Sequence, residues 1–291
     1  MPSLPILKTI VRETFTTERT QRTPEPDLVM DDPEKVAAYT RAGREDGVMA
    51  PVYLFHATHI CELINPGDTV VDLACGPATQ LCMIARLNPE ANFIGIDLSQ
   101  PMLDRANAYI AEQGLNNVTT AHGSITDLTM LADNTVDTVF STMALHHLPD
   151  YDALEKTFAS INRVLKPGGG IYLADFSRLK STASINYFAY QYADKQPELF
   201  TLDYLYSLHA AFSLNDFLEA KKQLPNDTGF YKMFMLPFMV AFKSNKRRNS
   251  IPIQLLDELH TIENNLPHHH KVDFKDLKQT FGLGGLKSNL L

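Results

Sequence analysis

The segment VVDLACG at residues 70–76 is followed, one helix-length later, by FIGID, whose acid is Asp97. The pattern is that of an apolar strand, a tight turn, a helix and a second apolar strand. A right-handed crossover sets the carboxyl ends of two such parallel strands side by side, so Gly76 and Asp97 are expected to line one crevice. Such a crevice is where an adenosine cofactor is expected to sit.

The alternation continues beyond this unit. Strands are expected at Thr69–Leu73, Asn92–Asp97, Val118–His122, Val136–Ser141 and Gly170–Asp175, and helices at Ala78–Leu87, Pro101–Gln113 and Asp152–Leu165. Strands separated by helical crossovers make a parallel sheet covered on both faces. Ser99 is placed to cap the helix that begins near Pro101, and the run Lys166–Gly170 is a breaker between a helix and the next strand. After Asp175 the alternation stops: Ser181–Phe212 is expected to be helical and Ser213 to cap a helix toward Leu224. Tyr231–Leu236 and Phe238–Lys243 follow as antiparallel strands joined tightly at Pro237. The first 30 residues predict an extended arm or short helices, Pro33–Ile64 a leader helix, and the tail one helix at Ile253–Asn264.

The chain has 291 residues, 44% of them hydrophobic, enough to bury a full core. Its net charge of −8 disfavours a nucleic-acid binder working by broad phosphate neutralisation. The three cysteines, Cys61, Cys75 and Cys82, show no framework spacing and suit a reducing, cytoplasmic setting. The most apolar stretch, Met233–Phe242, is too short for a membrane span and contains Pro237.

Taken together, Asp72–Gly76, Asp97, the Leu145–Leu148 segment (LHHL) and the Leu165–Gly169 breaker resemble the class I S-adenosylmethionine-dependent methyltransferases, of the ubiquinone and menaquinone methyltransferase type. A dehydrogenase shares the crossover but uses G-x-G-x-x-G, which is missing here. The resemblance covers about Thr69 to Lys243. It implies an α/β fold: a Rossmann-like, seven-stranded, mostly parallel sheet with an antiparallel last strand, helices on both faces and a helical cap insertion. It divides the chain into an arm and leader helix capping the site (1–64), a cofactor-binding domain (65–244, with its insertion at about 180–212) and a helical extension (245–291).

The same resemblance implies S-adenosylmethionine as cofactor, leaving as S-adenosylhomocysteine. Asp97 would accept the ribose hydroxyls, Leu98 and Met102 would flank the adenine, and Ser124 and Ile125 would read its edge. Asp72, Ala74, Cys75, Gly76 and Tyr39 would surround the methionine part, and Ser141, Thr142 and Met143 would run under the sulfonium. Two positions depart from the family. Ala74 replaces a glycine, which a turn at negative φ tolerates. Ser124 replaces an acid, which weakens the side-chain bond to adenine.

Methyl transfer is an in-line displacement, so a base is needed only for a nucleophile that holds its proton. His146 and His147, beyond the fourth strand, are candidates, as are Tyr206 and His209 in an insertion that also carries Tyr187, Phe188, Tyr190, Tyr192, Tyr204 and Phe212. Any one of those aromatics is equally at home in the core of a lid. Tyr39, Arg41 and Arg44 lie where related enzymes close over the methionine end. His56, His59 and Cys61, and the run His268–His270, lack zinc-site spacing, so no metal is expected. The expected acceptor is a small molecule, methylated at O, N or C, with no nucleic-acid or membrane partner and a homodimer compatible with the tail. A peptide or protein methyltransferase and a non-catalytic cofactor-binding domain are the alternatives.

Overall fold

The computed structural model describes residues 4–27, 29–43, 47–248 and 250–291. Five strands, β1 (Thr69–Leu73), β2 (Asn92–Asp97), β3 (Val118–His122), β4 (Val136–Thr142) and β5 (Leu165–Phe176), run parallel to one another. Two more, β6 (Gly229–Lys232) and β7 (Met239–Lys243), complete the sheet, with β7 antiparallel to β5 and β6 antiparallel to β7. The seven strands lie in the order β3-β2-β1-β4-β5-β7-β6. The chain winds outward from β1 to β3 and then returns to the other side of β1 through β4. At such a reversal the connections leave in opposite directions and open a crevice at the carboxyl ends of the strands.

The helices are α1 (Leu4–Phe15), α2 (Pro33–Ala42), α3 (Ala50–Ile60), α4 (Thr79–Leu87), α5 (Gln100–Glu112), α6 (Tyr151–Val164), α7 (Thr182–Tyr190), α8 (Glu198–Ala210), α9 (Leu214–Ala220), α10 (Ile253–Asn265) and α11 (His268–Leu283). Alternating side chains divide the core between the two faces of the sheet. Val70, Phe140 and Tyr172 join Leu54 and Phe55 of α3, Leu81 of α4, Leu259 of α10 and Phe281 of α11. Val71, Val139 and Ile171 join Leu154 and Phe158 of α6 and Phe217 of α9. Ser99 caps α5 by accepting the Met102 N–H, and Ser213 and Asp216 form a reciprocal capping box on α9.

The structure corrects several boundaries. The leader segment is two helices, α2 and α3, with Gly43 ending the first. The Lys166–Gly170 run does not separate a helix from a strand. Leu165 and Gly170 pair with Val136 and Thr138 of β4, so the residues between them bulge out of one continuous strand. The last two strands are antiparallel neighbours, but Met233–Phe238 forms a loop between them, so the joint is wider than Pro237 alone. A second tail helix, α11, begins at His268 and stacks Phe281 on Phe55 of α3 at a centroid distance of 5.1 Å. Among the described residues, no helix is long and apolar enough to cross a membrane.

Candidate active site

The turn leaving β1 sits at the mouth of the crevice. Ala74, Gly76 and Ala78 adopt left-handed φ values of 57°, 53° and 62°. The turn does not keep the negative φ at which a methyl is tolerated, so Ala74 is held in a strained conformation. A Cβ on Gly76 would meet only Tyr39 Cε1, at 3.8 Å. The Gly76 N–H donates to Asp97 Oδ2 at 2.8 Å, and the Ser99 N–H donates to Oδ1 of the same carboxylate at 2.8 Å. Burial raises the pKa of Asp97 against the pull of these two donors. Burial, reinforced by the charge of Asp97, raises Asp72 well above the usual carboxylate range.

The opposite wall is the exit of β4. Ser141 is buried and spends its hydroxyl on the Leu73 carbonyl at 2.8 Å, while Thr142 donates to Gln80 Oε1 from α4. Gln80 Nε2 is buried and has no hydrogen-bond partner. Met143 turns the chain at φ 55°, with its N–H on the Ala174 carbonyl.

Beyond Met143, a short 3-10 turn at Leu145–His147 brings two imidazoles together, with ring centroids 4.3 Å apart. Asp175, fully buried at the end of β5, takes His146 Nδ1 at 2.6 Å and the His146 backbone N–H at 2.9 Å. The N-terminal arm supplies Glu25, with Oε2 3.1 Å from His147 Nδ1 and Oε1 3.7 Å from His146 Nε2. Burial penalises the charge of each partner. The Glu25–His147 bond outweighs that penalty, lowering Glu25 to about 2 and raising His147 to about 9. Asp203 of α8 is pushed up to about 6 by burial and by the nearby Glu25 charge.

A cavity of about 330 Å³ opens here, lined by Glu25, Met30, Asp31, His147, Asp203 and Tyr206 among others. The arm reaches across to the cofactor crevice, where Ser99 Oγ donates to the Met30 carbonyl, at 2.8 Å. Arg22 fastens this arm, donating to the carbonyls of Ala210 (2.7 Å), Pro149 (2.6 Å), His146 (3.0 Å) and Leu148.

The structure thus brings His147 and Tyr206 to one cavity with His146 against His147, whereas His209 enters through its backbone, its carbonyl accepting the Thr23 N–H at 3.0 Å. Tyr39 lies over the Gly76 turn. Cys75 turns its thiol toward Gly95 of β2, leaving its backbone to the turn. Leu98 is exposed and Met102 buried. Ser124 Oγ is engaged by Thr126, at 2.7 Å from its Oγ1, and Ile125 packs against the core. Arg41 is exposed, and Arg44 lies outside the described residues. His56 and His59 are core residues, and Phe188 and Phe212 are buried in the cap. Sequence reasoning missed Arg22, Glu25, Gln80 and Asp203. The two arm residues lie in a polar stretch without periodicity, and nothing local marks them.

Comparison with known proteins accords with this geometry. Residues 70–169 match a family described as a methyltransferase domain. A probable methyltransferase, ltbC, of Aspergillus luteorubrus is 33% identical over 118 residues, 39% of this chain and 41% of its own length. Demethylmenaquinone methyltransferase of Anoxybacillus flavithermus is 31% identical over 116 residues, 40% of this chain and 47% of its own. The chain spans less than half the length of these curated relatives. The plantazolicin methyltransferase BpumL, solved in complex with S-adenosylhomocysteine, shares the fold with a TM-score of 0.56 and 15% identity, covering 91% of this chain and 92% of its own. The family match makes residues 70–169 a methyltransferase domain, and the strand order and the Gly76–Asp97 crevice accord with it.

Proposed function

We propose that the chain transfers the methyl group of S-adenosylmethionine to a small-molecule acceptor, and that it does so in a reducing, cytoplasmic setting. The observation that carries this reading is the adjacency of two spaces. The Asp97 carboxylate, bonded to Gly76 N–H at 2.8 Å, stands at one, and the roughly 330 Å³ cavity beside His147 and Tyr206 is the other.

The residues present fit the cofactor. Gly76 leaves its side of the turn open to close backbone approach, and Gln80 Nε2 is a buried donor awaiting an acceptor. Asp97 keeps lone pairs for two ribose hydroxyls, with Leu98 and Met102 beside the adenine and Ser124 and Ile125 at its edge. The raised pKa of Asp72 marks a carboxyl that a cationic ammonium would stabilise in its charged form. Ala74, Cys75 and Tyr39 complete that end, and Ser141, Thr142 and Met143 form the floor between the two spaces.

S-adenosylmethionine supplies an electrophilic methyl carbon bound to sulfur. The protein's task is to hold the acceptor atom about 3 Å from that carbon, in line with the bond that breaks, and to keep water out. The arm over the cavity excludes water, and His147 and Tyr206 face the acceptor, with His146 behind His147 and His209 in the cap. His147, held by Glu25, presents positive charge beside the acceptor atom.

The test is incubation with methyl-labelled S-adenosylmethionine and fractionated cell extract. Label in small metabolites supports the reading. Label in protein alone would overturn the small-molecule acceptor, and no label in any fraction would overturn the transfer itself.

A further inference from the structure

We propose that Glu25, His146 and His147 form a binding site for a first-row divalent transition-metal cation. Among the described residues, they are the group of three whose potential ligand atoms all lie within 4.8 Å of one another. A tetrahedral ion with bonds of about 2.1 Å holds its ligand atoms about 3.4 Å apart. Glu25 Oε2 stands 3.1 Å from His147 Nδ1 and Oε1 stands 3.7 Å from His146 Nε2, so the carboxylate reaches both imidazoles near that separation, one oxygen to each.

The surroundings are those of a metal ligand set. A ligating histidine usually gives its second ring nitrogen to a carboxylate, which fixes the tautomer and aims the other lone pair. Asp175 does this for His146, gripping Nδ1 at 2.6 Å and the backbone N–H at 2.9 Å, so that Nε2 is directed at Glu25. With Nδ1 given to Asp175, the second nitrogen of His146 and the Glu25 carboxylate face one another, an arrangement that a cation between them would hold. Ser207 Oγ donates to Glu25 Oε1 at 2.8 Å and fixes the carboxylate. Glu25 and His146 are 8% and 2% exposed, so the site is shielded, while Glu25 and His147 also line the cavity. Three protein ligands with one face open to a substrate space are the pattern of a catalytic rather than a structural metal site.

Two imidazoles and one carboxylate favour zinc, iron, cobalt, nickel or manganese over magnesium or calcium. The ion and the proton now shared by Glu25 and His147 compete for the same position. Binding would also tie the arm to the turn after β4, since Glu25 comes from the arm and the two histidines from that turn.

The test uses tag-free protein stripped with a chelator and titrated with Co²⁺ and Zn²⁺, with no methyl donor present. The expected results are one equivalent of Co²⁺ with a visible absorption band of low-symmetry coordination, and a melting temperature that rises with metal concentration. Glu25→Gln and His146→Ala should each weaken binding at least tenfold. The triple variant His268→Asn, His269→Asn, His270→Asn should bind as the unaltered chain does, which excludes the other histidine cluster. Absence of a stoichiometric Co²⁺ band in the unaltered protein would overturn the proposal. So would undiminished binding by a folded Glu25→Gln variant, or loss of binding in the triple variant. None of these readouts depends on methyl transfer, so failure of this site and failure of the proposed function are separate results.

Discussion

The Arg22 guanidinium lies 4.0 Å over the Phe212 ring while its nitrogens hold the carbonyls of Ala210, at the end of α8, and of Pro149, after β4. One arm residue thereby joins the turn after β4 to the end of α8. Charged hydrogen bonds of this kind contribute about 1.5–3 kcal/mol each, and a partly exposed set less than its sum. Arg22→Ala should destabilise the closed arm by about 3 kcal/mol, which corresponds to exchange of the Thr20 and Thr23 amides, bonded to the Lys180 and His209 carbonyls, faster by on the order of 100-fold. Exchange unchanged from the parent would show that the arm is held by other contacts.

Ala74 and Ala78 both carry left-handed backbone, but their methyl groups differ in surroundings: Ala74 is half-buried, and Ala78 is fully buried. Relief of left-handed strain is worth about 1–2 kcal/mol, and a glycine returns about half of it through unfolded-state entropy. Ala74→Gly should therefore stabilise the protein by about 0.5–1 kcal/mol and raise its melting temperature by about 1–2 °C. In Ala78→Gly, loss of the buried methyl offsets the relief, so thermal unfolding should show no gain. A destabilised Ala74→Gly variant would show that this methyl packs more tightly than its exposure indicates.

His56 is fully buried between α3 and β5, with Nδ1 2.8 Å from the Tyr172 hydroxyl and Nε2 without a partner. Burial lowers its pKa from 6.5 to about 3. Between those values the unfolded chain binds a proton that the folded chain refuses, so acid favours unfolding and stability falls as pH drops below 6.5. His56→Gln removes this titration while retaining a hydrogen-bonding group for Tyr172. Urea denaturation of the two proteins should show the parent losing on the order of 2 kcal/mol relative to the variant between pH 6.5 and 5. Parallel pH profiles would contradict a neutral buried His56.

Most of the sheet was legible because β1, β2, β5 and β7 carry apolar runs bounded by turn residues, and the bounds of β1, β2 and β3 agree with those read from the sequence. Gly76 and Asp97 could be placed in one crevice because crossover handedness is general, and the structure joins them by a hydrogen bond. What escaped was set by tertiary contact. The left-handed Ala74 is tolerated only because strands on both sides fix the turn. The Lys166–Gly170 run stays in its strand because β4 pairs at both ends of the bulge. Helix α11 has a weak pattern of its own and is held by Phe274 and Phe281 packing onto the core. Glu25 and Arg22 acquire partners only once the arm crosses the cavity.

The most direct test of the account is calorimetric titration of S-adenosylhomocysteine into the unaltered chain and into Asp97→Asn. Removing a carboxylate that accepts ribose hydroxyls should cost about 1.5–3 kcal/mol, a dissociation constant raised about 10- to 150-fold. The account predicts one bound equivalent for the unaltered chain and that weakening for the variant, with both proteins folded. Absence of binding to the unaltered chain, or equal affinity for the two, would contradict it.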